Sequence, residues 1–205
     1  GACITGIYVA DRKGKRENVV ACFADIKDFV NQGGPYLNAA VGPYAGRIAY
    51  GAYQDKDGKH QLSINNGKHH LHGGNSGISM QYFQVRQEKD ALLFHLESEH
   101  AQDGYPQGTY VYDITYRLDH DKLIIALHAI PPKRSLLSMT NHLYFNLAGE
   151  GRESICSHEL RLDSTKRGRI HGDGHPCEII DILPGDAYDF HTQIKIADRY
   201  EKDNE

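Results

Sequence analysis

The sequence predicts an all-β protein, an antiparallel β-sandwich, and three observations carry that expectation. Apolar residues recur with period two over the longest patterned stretches. Glycine and tyrosine are plentiful, 21 and 13 residues of 205, a composition that suits short strands joined by tight turns. Helical periodicity is scarce: the best candidate is the short stretch Asp25 to Val30, where Ile26, Phe29 and Val30 share a face.

The residues after Gly1 read as a strand, and the candidate helix follows at Asp25. Glycine and proline clusters then mark turns at Gly33-Gly34-Pro35, Gly73-Gly74, Gly104-Tyr105-Pro106, Pro131-Pro132 and Pro184-Gly185. From Ala91 to Glu99, Leu92, Phe94 and Leu96 take one face and His95, Glu97 and Glu99 the other. From Thr109 to Leu118, Tyr110, Tyr112, Ile114, Tyr116 and Leu118 face one way, with Val111, Asp113, Thr115 and Arg117 opposite. The polar turn Asp119-His120-Asp121-Lys122 leads into the apolar run Leu123 to Ile130, so these two strands form an antiparallel hairpin. With no repeat, low-complexity tract or linker, residues 1–205 are expected to form a single domain whose charged tail, 198–205, frays.

Hydrophobic residues at 40% and charged residues at 24% provide for a buried core. Lys and Arg total 23 against 27 Asp and Glu, a net charge of −4, which argues against a nucleic acid or anionic membrane held by bulk charge. No apolar run reaches the length of a membrane span, and no signal peptide opens the chain. Cys3, Cys22, Cys156 and Cys177 are scattered and form no Cys-x-x-Cys pair. They read as reduced thiols of a cytoplasmic protein rather than as structural zinc ligands or a disulfide framework.

Phosphate-binding glycine loops, the His-Glu-x-x-His zinc motif and the Gly-x-Ser-x-Gly nucleophile elbow are all absent. Two histidine-bearing segments stand out instead. In Asn65-Asn66-Gly67-Lys68-His69-His70-Leu71-His72-Gly73-Gly74, three histidines fall within four residues. Imidazole suits zinc, copper and nickel, yet no carboxylate or cysteine lies at a telling distance, so no metal is expected; surface histidines without a role are the plain alternative. In Met139-Thr140-Asn141-His142-Leu143-Tyr144-Phe145-Asn146-Leu147-Ala148-Gly149, alternation puts His142, Tyr144 and Asn146 on one face and Leu143, Phe145 and Leu147 on the other. Such a polar face is either a hydrogen-bonded trio within the core or a surface for a polyhydroxylated ligand.

Together these segments resemble the aldose 1-epimerases, or galactose mutarotases. Leu71-His72-Gly73-Gly74 and Thr140-Asn141-His142-Leu143-Tyr144-Phe145-Asn146-Leu147-Ala148-Gly149 carry the resemblance. Gly42-Pro43-Tyr44-Ala45-Gly46-Arg47-Ile48, Asn65-Asn66-Gly67, Asp103-Gly104-Tyr105-Pro106, Ser157-His158-Glu159-Leu160 and Asp189-Phe190 support it in the same order. The resemblance implies a galactose mutarotase-like sandwich that interconverts the α and β anomers of a free aldohexose such as galactose or glucose. Within that implication His142 is the general acid, His72 supports it, and Arg47, Tyr144, Phe145 and Asn146 bind the sugar, with no metal or organic cofactor. A non-catalytic sugar-binding or regulatory domain on the same fold is the alternative. Enzymes acting on phosphorylated sugars would want extra basic residues near Arg47, and no such cluster is present.

The chain also departs from the family pattern. Its usual Asn-Arg pair reads Gly46-Arg47, and its aromatic residues after the Gly-Gly turn read Ile78 and Phe83. Family members carry a binding aspartate and the catalytic glutamate beyond the Asp-Phe segment, whereas this chain ends at Glu205 before either. An incomplete sandwich, a poor catalyst and an unassigned general base are therefore expected. Glu159 and Asp189 match positions other than the catalytic carboxylate. Glu97, Glu99 and Asp103, near the Asp-Gly-Tyr-Pro turn, are the first carboxylates to test for that role.

Overall fold

The computed structural model describes residues 1–23, 25, 27–28, 36–149 and 151–199. The helical face expected of Ile26, Phe29 and Val30, the turn at Gly33-Gly34-Pro35 and residues 200–205 of the tail lie outside them. The described residues are all-β, with antiparallel strands joined by turns and short 3₁₀ segments. None of their helices is long and apolar enough to cross a membrane. The chain divides into two compact units: Gly1–Ile4 with Val30–His142, and Thr5–Phe29 with Leu143–Glu205.

The first unit is organised by a four-stranded sheet in the order Lys122–Ile130, Thr109–Asp119, Ala91–Glu99, Gln84–Gln87. The predicted hairpin is present, with Asp119 opposite Lys122 and His120 turning the chain at a φ of +55°. Alternation holds over most of its length. Tyr110, Tyr112 and Ile114 are completely buried and Tyr116 nearly so, whereas Asp113 and Arg117 on the other face meet solvent. Leu118 is the exception: at the end of its strand it runs past the edge of the core and is 65% exposed.

Leu96, Ile48, Leu62, Ile78, Ala40 and Tyr105 complete this core. A core rich in tyrosine must supply a partner for each hydroxyl, because a buried one left unpaired costs about 1–3 kcal/mol. Each has one. Tyr110 bonds to Ser135 at 2.8 Å, Tyr112 to His100 Nε2 at 2.9 Å, Tyr105 to His70 Nε2 at 2.9 Å, and Tyr116 to the Ala2 carbonyl at 2.7 Å. Two of the histidines, His70 and His100, are thus accounted for as the polar complement of tyrosines.

Two short antiparallel pairings in the same unit carry the residues of interest. Arg47–Ile48 pairs with His70–Leu71, and Ala40–Val41 pairs with Thr140–Asn141. The second pairing corrects an expectation from the sequence. The stretch 140–147 does not continue as one alternating strand: regular pairing covers Thr140–Asn141, and the bonds of His142 with Asn38 and Ala39 extend it by one residue. In the second unit, the Tyr144 carbonyl and the Asn146 N–H pair instead with Ala21 and Val19. The change of partner breaks the two-face pattern: Phe145 and Leu147 are exposed, and so is Tyr144 from the opposite face.

The second unit holds the Tyr8–Ala10 and Arg16–Asn18 hairpin, a bridge between Val20 and Phe145, the Glu159–Leu160 and Ile194–Lys195 pair, and the Lys166–Ile170 and Pro176–Asp181 hairpin. Val19 and Val20 are its buried hydrophobic residues among those described. None of the four cysteines forms a disulfide.

Candidate active site

Three residues singled out from the sequence, Arg47, His72 and His142, come together in the first unit. Arg47 opposes Leu71 across the short pairing, which sets it beside the start of the Gly-Gly turn. Its Nε donates to Asn66 Oδ1 at 3.0 Å. Asn65 clamps the other side, its amide exchanging two bonds with the backbone of Leu71 at 2.7 and 2.9 Å. The Asn65-Asn66-Gly67 run therefore has a physical task that the sequence did not disclose: one asparagine orients the guanidinium and the other fixes the residue before His72.

His72 sits at a φ of +52°, in the left-handed region that a non-glycine residue enters at a cost of about 1–3 kcal/mol. Its backbone N–H donates to the Gly46 carbonyl at 3.2 Å, and the Gly46 N–H donates to His72 Nδ1 at 3.1 Å. A backbone N–H can only donate, so Nδ1 is the lone-pair nitrogen and the ring proton of neutral His72 resides on Nε2. Burial, then the neighbouring His142, then Arg47 hold the His72 pKa down to about 4. At neutral pH this ring is an uncharged donor, which can offer its Nε2–H to a hydroxyl oxygen.

The rings of His72 and His142 meet edge to face with centroids 5.2 Å apart, and Tyr36 packs against His72 in the same manner at 4.6 Å. Tyr36 carries no sequence signal for this role. The arrangement is a cationic, two-donor cluster with aromatic walls, a chemistry suited to an uncharged polyol.

The other histidines of the cluster have different duties. The Tyr50 N–H donates to His69 Nδ1 at 3.1 Å. His70 faces the Ser63 carbonyl through Nδ1 at 2.8 Å and Tyr105 through Nε2, so both its nitrogens are engaged in the core. His70 is thus engaged through both nitrogens, while His69 and His72 each accept a backbone N–H at Nδ1.

Tyr144, Phe145 and Asn146 belong to the second unit. Tyr144 is 40% exposed and Phe145 52%, which leaves ring surface open and removes the reading of His142, Tyr144 and Asn146 as a buried trio. The Asn146 side chain serves its own loop, donating to the Glu153 carbonyl at 2.8 Å and accepting from the Ala148 N–H at 3.1 Å. Of the carboxylates considered for the base, Glu97 and Glu99 are exposed. Asp103 is only 1% exposed. Its two oxygens accept from the Ser63 hydroxyl, the Asn75 N–H, and the N–H and hydroxyl of Ser76. Burial works to raise the Asp103 pKa, but these bonds outweigh it and hold the carboxyl below its ordinary range. A carboxylate so fully engaged is a structural anion rather than a base.

Comparison with known proteins fits this geometry. The family model described as aldose 1-epimerase matches residues 1–205. Galactose mutarotase of Sus scrofa is 32% identical over 197 residues, covering 96% of this chain and 57% of that protein. Aldose 1-epimerase of Escherichia coli is 31% identical over 172 residues, 83% of this chain and 49% of that protein. The crystal structure of an aldose epimerase homologue from C. elegans superposes with a TM-score of 0.89 at 27% identity, covering 98% of this chain and 61% of that one. The chain thus spans about half the length of these curated relatives, and it has the fold of the C. elegans homologue over the matched part. On the match across residues 1–205 and the collinear motifs within it, the chain belongs to the aldose 1-epimerase family.

Proposed function

We propose that the chain acts on a free aldohexose such as galactose or glucose, with Arg47, His72 and His142 as the polar groups that meet the sugar. The observation that carries this reading is the convergence of a guanidinium and two imidazoles, one of them a neutral Nε2–H donor fixed by Gly46. In the reaction, the C1 hydroxyl gives its proton to a general base, which is not assigned among this chain's residues, the bond from C1 to the ring oxygen breaks and the ring oxygen takes a proton from the acid. Rotation about C1–C2 and reclosure on the other face of the aldehyde give the opposite anomer. His142 serves as the acid at the ring oxygen, since an imidazole needs little tuning to exchange a proton near neutral pH. His72 and Arg47 orient the hydroxyls. Tyr144 and Phe145, in the second unit, present exposed ring surface that a sugar face can pack on, whereas any contact by Asn146 competes with its loop bonds. Proton transfer alone completes the reaction, so no cofactor is invoked. The four reduced thiols suit a reducing compartment such as the cytoplasm.

Polarimetry on freshly dissolved α-galactose and α-glucose tests the proposal. With no general base assigned among its residues, the chain should speed the approach to rotational equilibrium only weakly, and His142→Asn should remove that acceleration while changing sugar affinity far less. Sugar bound with no acceleration would replace this reading with that of a sugar-binding domain.

A further inference from the structure

Asp103 is the most completely buried carboxylate of the first unit and has no part in the proton transfers proposed above. Its surroundings show what it does. Asn75 and Ser76, whose backbone N–H groups it accepts at 3.0 and 2.7 Å, lie directly after the turn His72-Gly73-Gly74. That turn holds three residues in succession at positive φ, +52°, +89° and +83°. Such a run is not locally favoured and persists only where its surroundings over-determine it. Asp103 grips the downstream end and Asn65 and Gly46 the upstream end. The approach is close: a Cβ at Gly74 would stand 2.5 Å from the Asp103 carboxyl carbon. Asp103 is itself fixed by the 3₁₀ turn Ala101–Asp103 and by the Ser63 N–H bonded to its carbonyl at 3.0 Å.

We propose that Asp103 is a positioning residue for His72, its carboxylate anchoring the Asn75–Ser76 backbone and so holding the left-handed turn that aims the imidazole. The consequence for sugar binding rests on the reading of His72 as a sugar contact; the positioning itself does not. Asp103→Asn preserves shape but replaces one acceptor oxygen with an NH₂ group facing N–H donors, so at least one grip on the turn is lost.

The test reads the His72 ring directly, by nitrogen-resolved NMR of the imidazole in the sugar-free chain. In the unaltered protein the Nε2–H tautomer should dominate. In Asp103→Asn, with the turn released and the Gly46 bond weakened, the two tautomers should mix. The titration midpoint of His72, with His142, Arg47 and the Tyr36 ring around it, should climb from about 4 toward the ordinary 6.5. Ser76→Ala removes the hydroxyl that holds Asp103 Oδ2 and so loosens the carboxylate against the turn; it should move the same signals in the same direction but less, and serves if Asp103→Asn does not fold. Ile114→Val is the control: it loosens the same core, lowers Tm and should leave His72 unchanged. Galactose affinity should fall about ten- to a hundredfold in Asp103→Asn. A His72 signal unaltered in a folded Asp103 or Ser76 variant overturns the proposal. If the His72 signal shifts while galactose affinity holds, the positioning stands and His72 as a sugar contact falls.

Discussion

The two units of this chain bury their apolar residues very differently. In the first, tyrosines, isoleucines and leucines from a four-stranded sheet and its neighbours close a core in which every buried tyrosine hydroxyl has a partner. In the second, the described strands pair in short ladders while Ile179 is 77% exposed and Leu147 68%. The proposed sugar-binding trio lies in the unit with the dense core. A left-handed histidine and a guanidinium fixed by an asparagine need rigid support, because sub-ångström drift in such groups is expensive in rate.

The contrast predicts unequal responses to the same kind of substitution. Ile114→Ala, in the fully buried centre of the first unit, should cost about 2–5 kcal/mol in denaturant melts. Ile179→Ala should stay within about 0.5 kcal/mol, as expected for a side chain already in water. Comparable losses at the two positions would show that the second unit hides a core of its own. Hydrogen exchange offers the same comparison without mutation: amides of the Thr109–Asp119 strand should exchange far more slowly than those of Glu159–Leu160.

A smaller effect concerns pH. His100 is buried between Tyr112 and Ser76, near the rings of Tyr105 and Tyr110. Burial holds its pKa down to about 4, against the opposing pull of Asp103 and Ser76. The unfolded chain protonates this ring near 6.5 and the folded chain only near 4, so between them the unfolded state binds more protons. Its contribution is therefore complete above about pH 6.5 and lost as pH falls toward 4, about 3 kcal/mol in all from this residue. His70, lowered in the same direction by burial, adds to the slope. A urea midpoint that stays flat from pH 7 to 4.5 would contradict this account of the core. Smaller again, Tyr112→Phe removes the hydroxyl opposite His100 Nε2 and should cost about 1–2 kcal/mol, measured by the same melts.

The sheet of the first unit was legible because its alternation runs through an eleven-residue strand whose two faces differ sharply. The proposed trio was legible only as motifs. Arg47, His72 and His142 sit on or beside two-residue strands and meet through a left-handed turn, and neither feature imposes a periodicity. The misreading of 140–147 has a definite cause: alternation assumes one partner strand, and this stretch changes partners after His142. The roles of Asn65, Asn66 and Asp103 were hidden because each acts through hydrogen bonds to residues remote in sequence.

The central claim is that the two imidazoles and Arg47 form one sugar-binding group. It is tested most directly by titrating the chain with galactose while following the His72 and His142 ring signals by NMR, with and without Arg47→Ala. Both imidazoles should shift together and saturate at one sugar concentration, and Arg47→Ala should raise that concentration at least about tenfold, the loss of a charge-assisted hydrogen-bond donor. Saturable galactose binding that leaves both imidazole signals in place, or that is indifferent to Arg47, would contradict it.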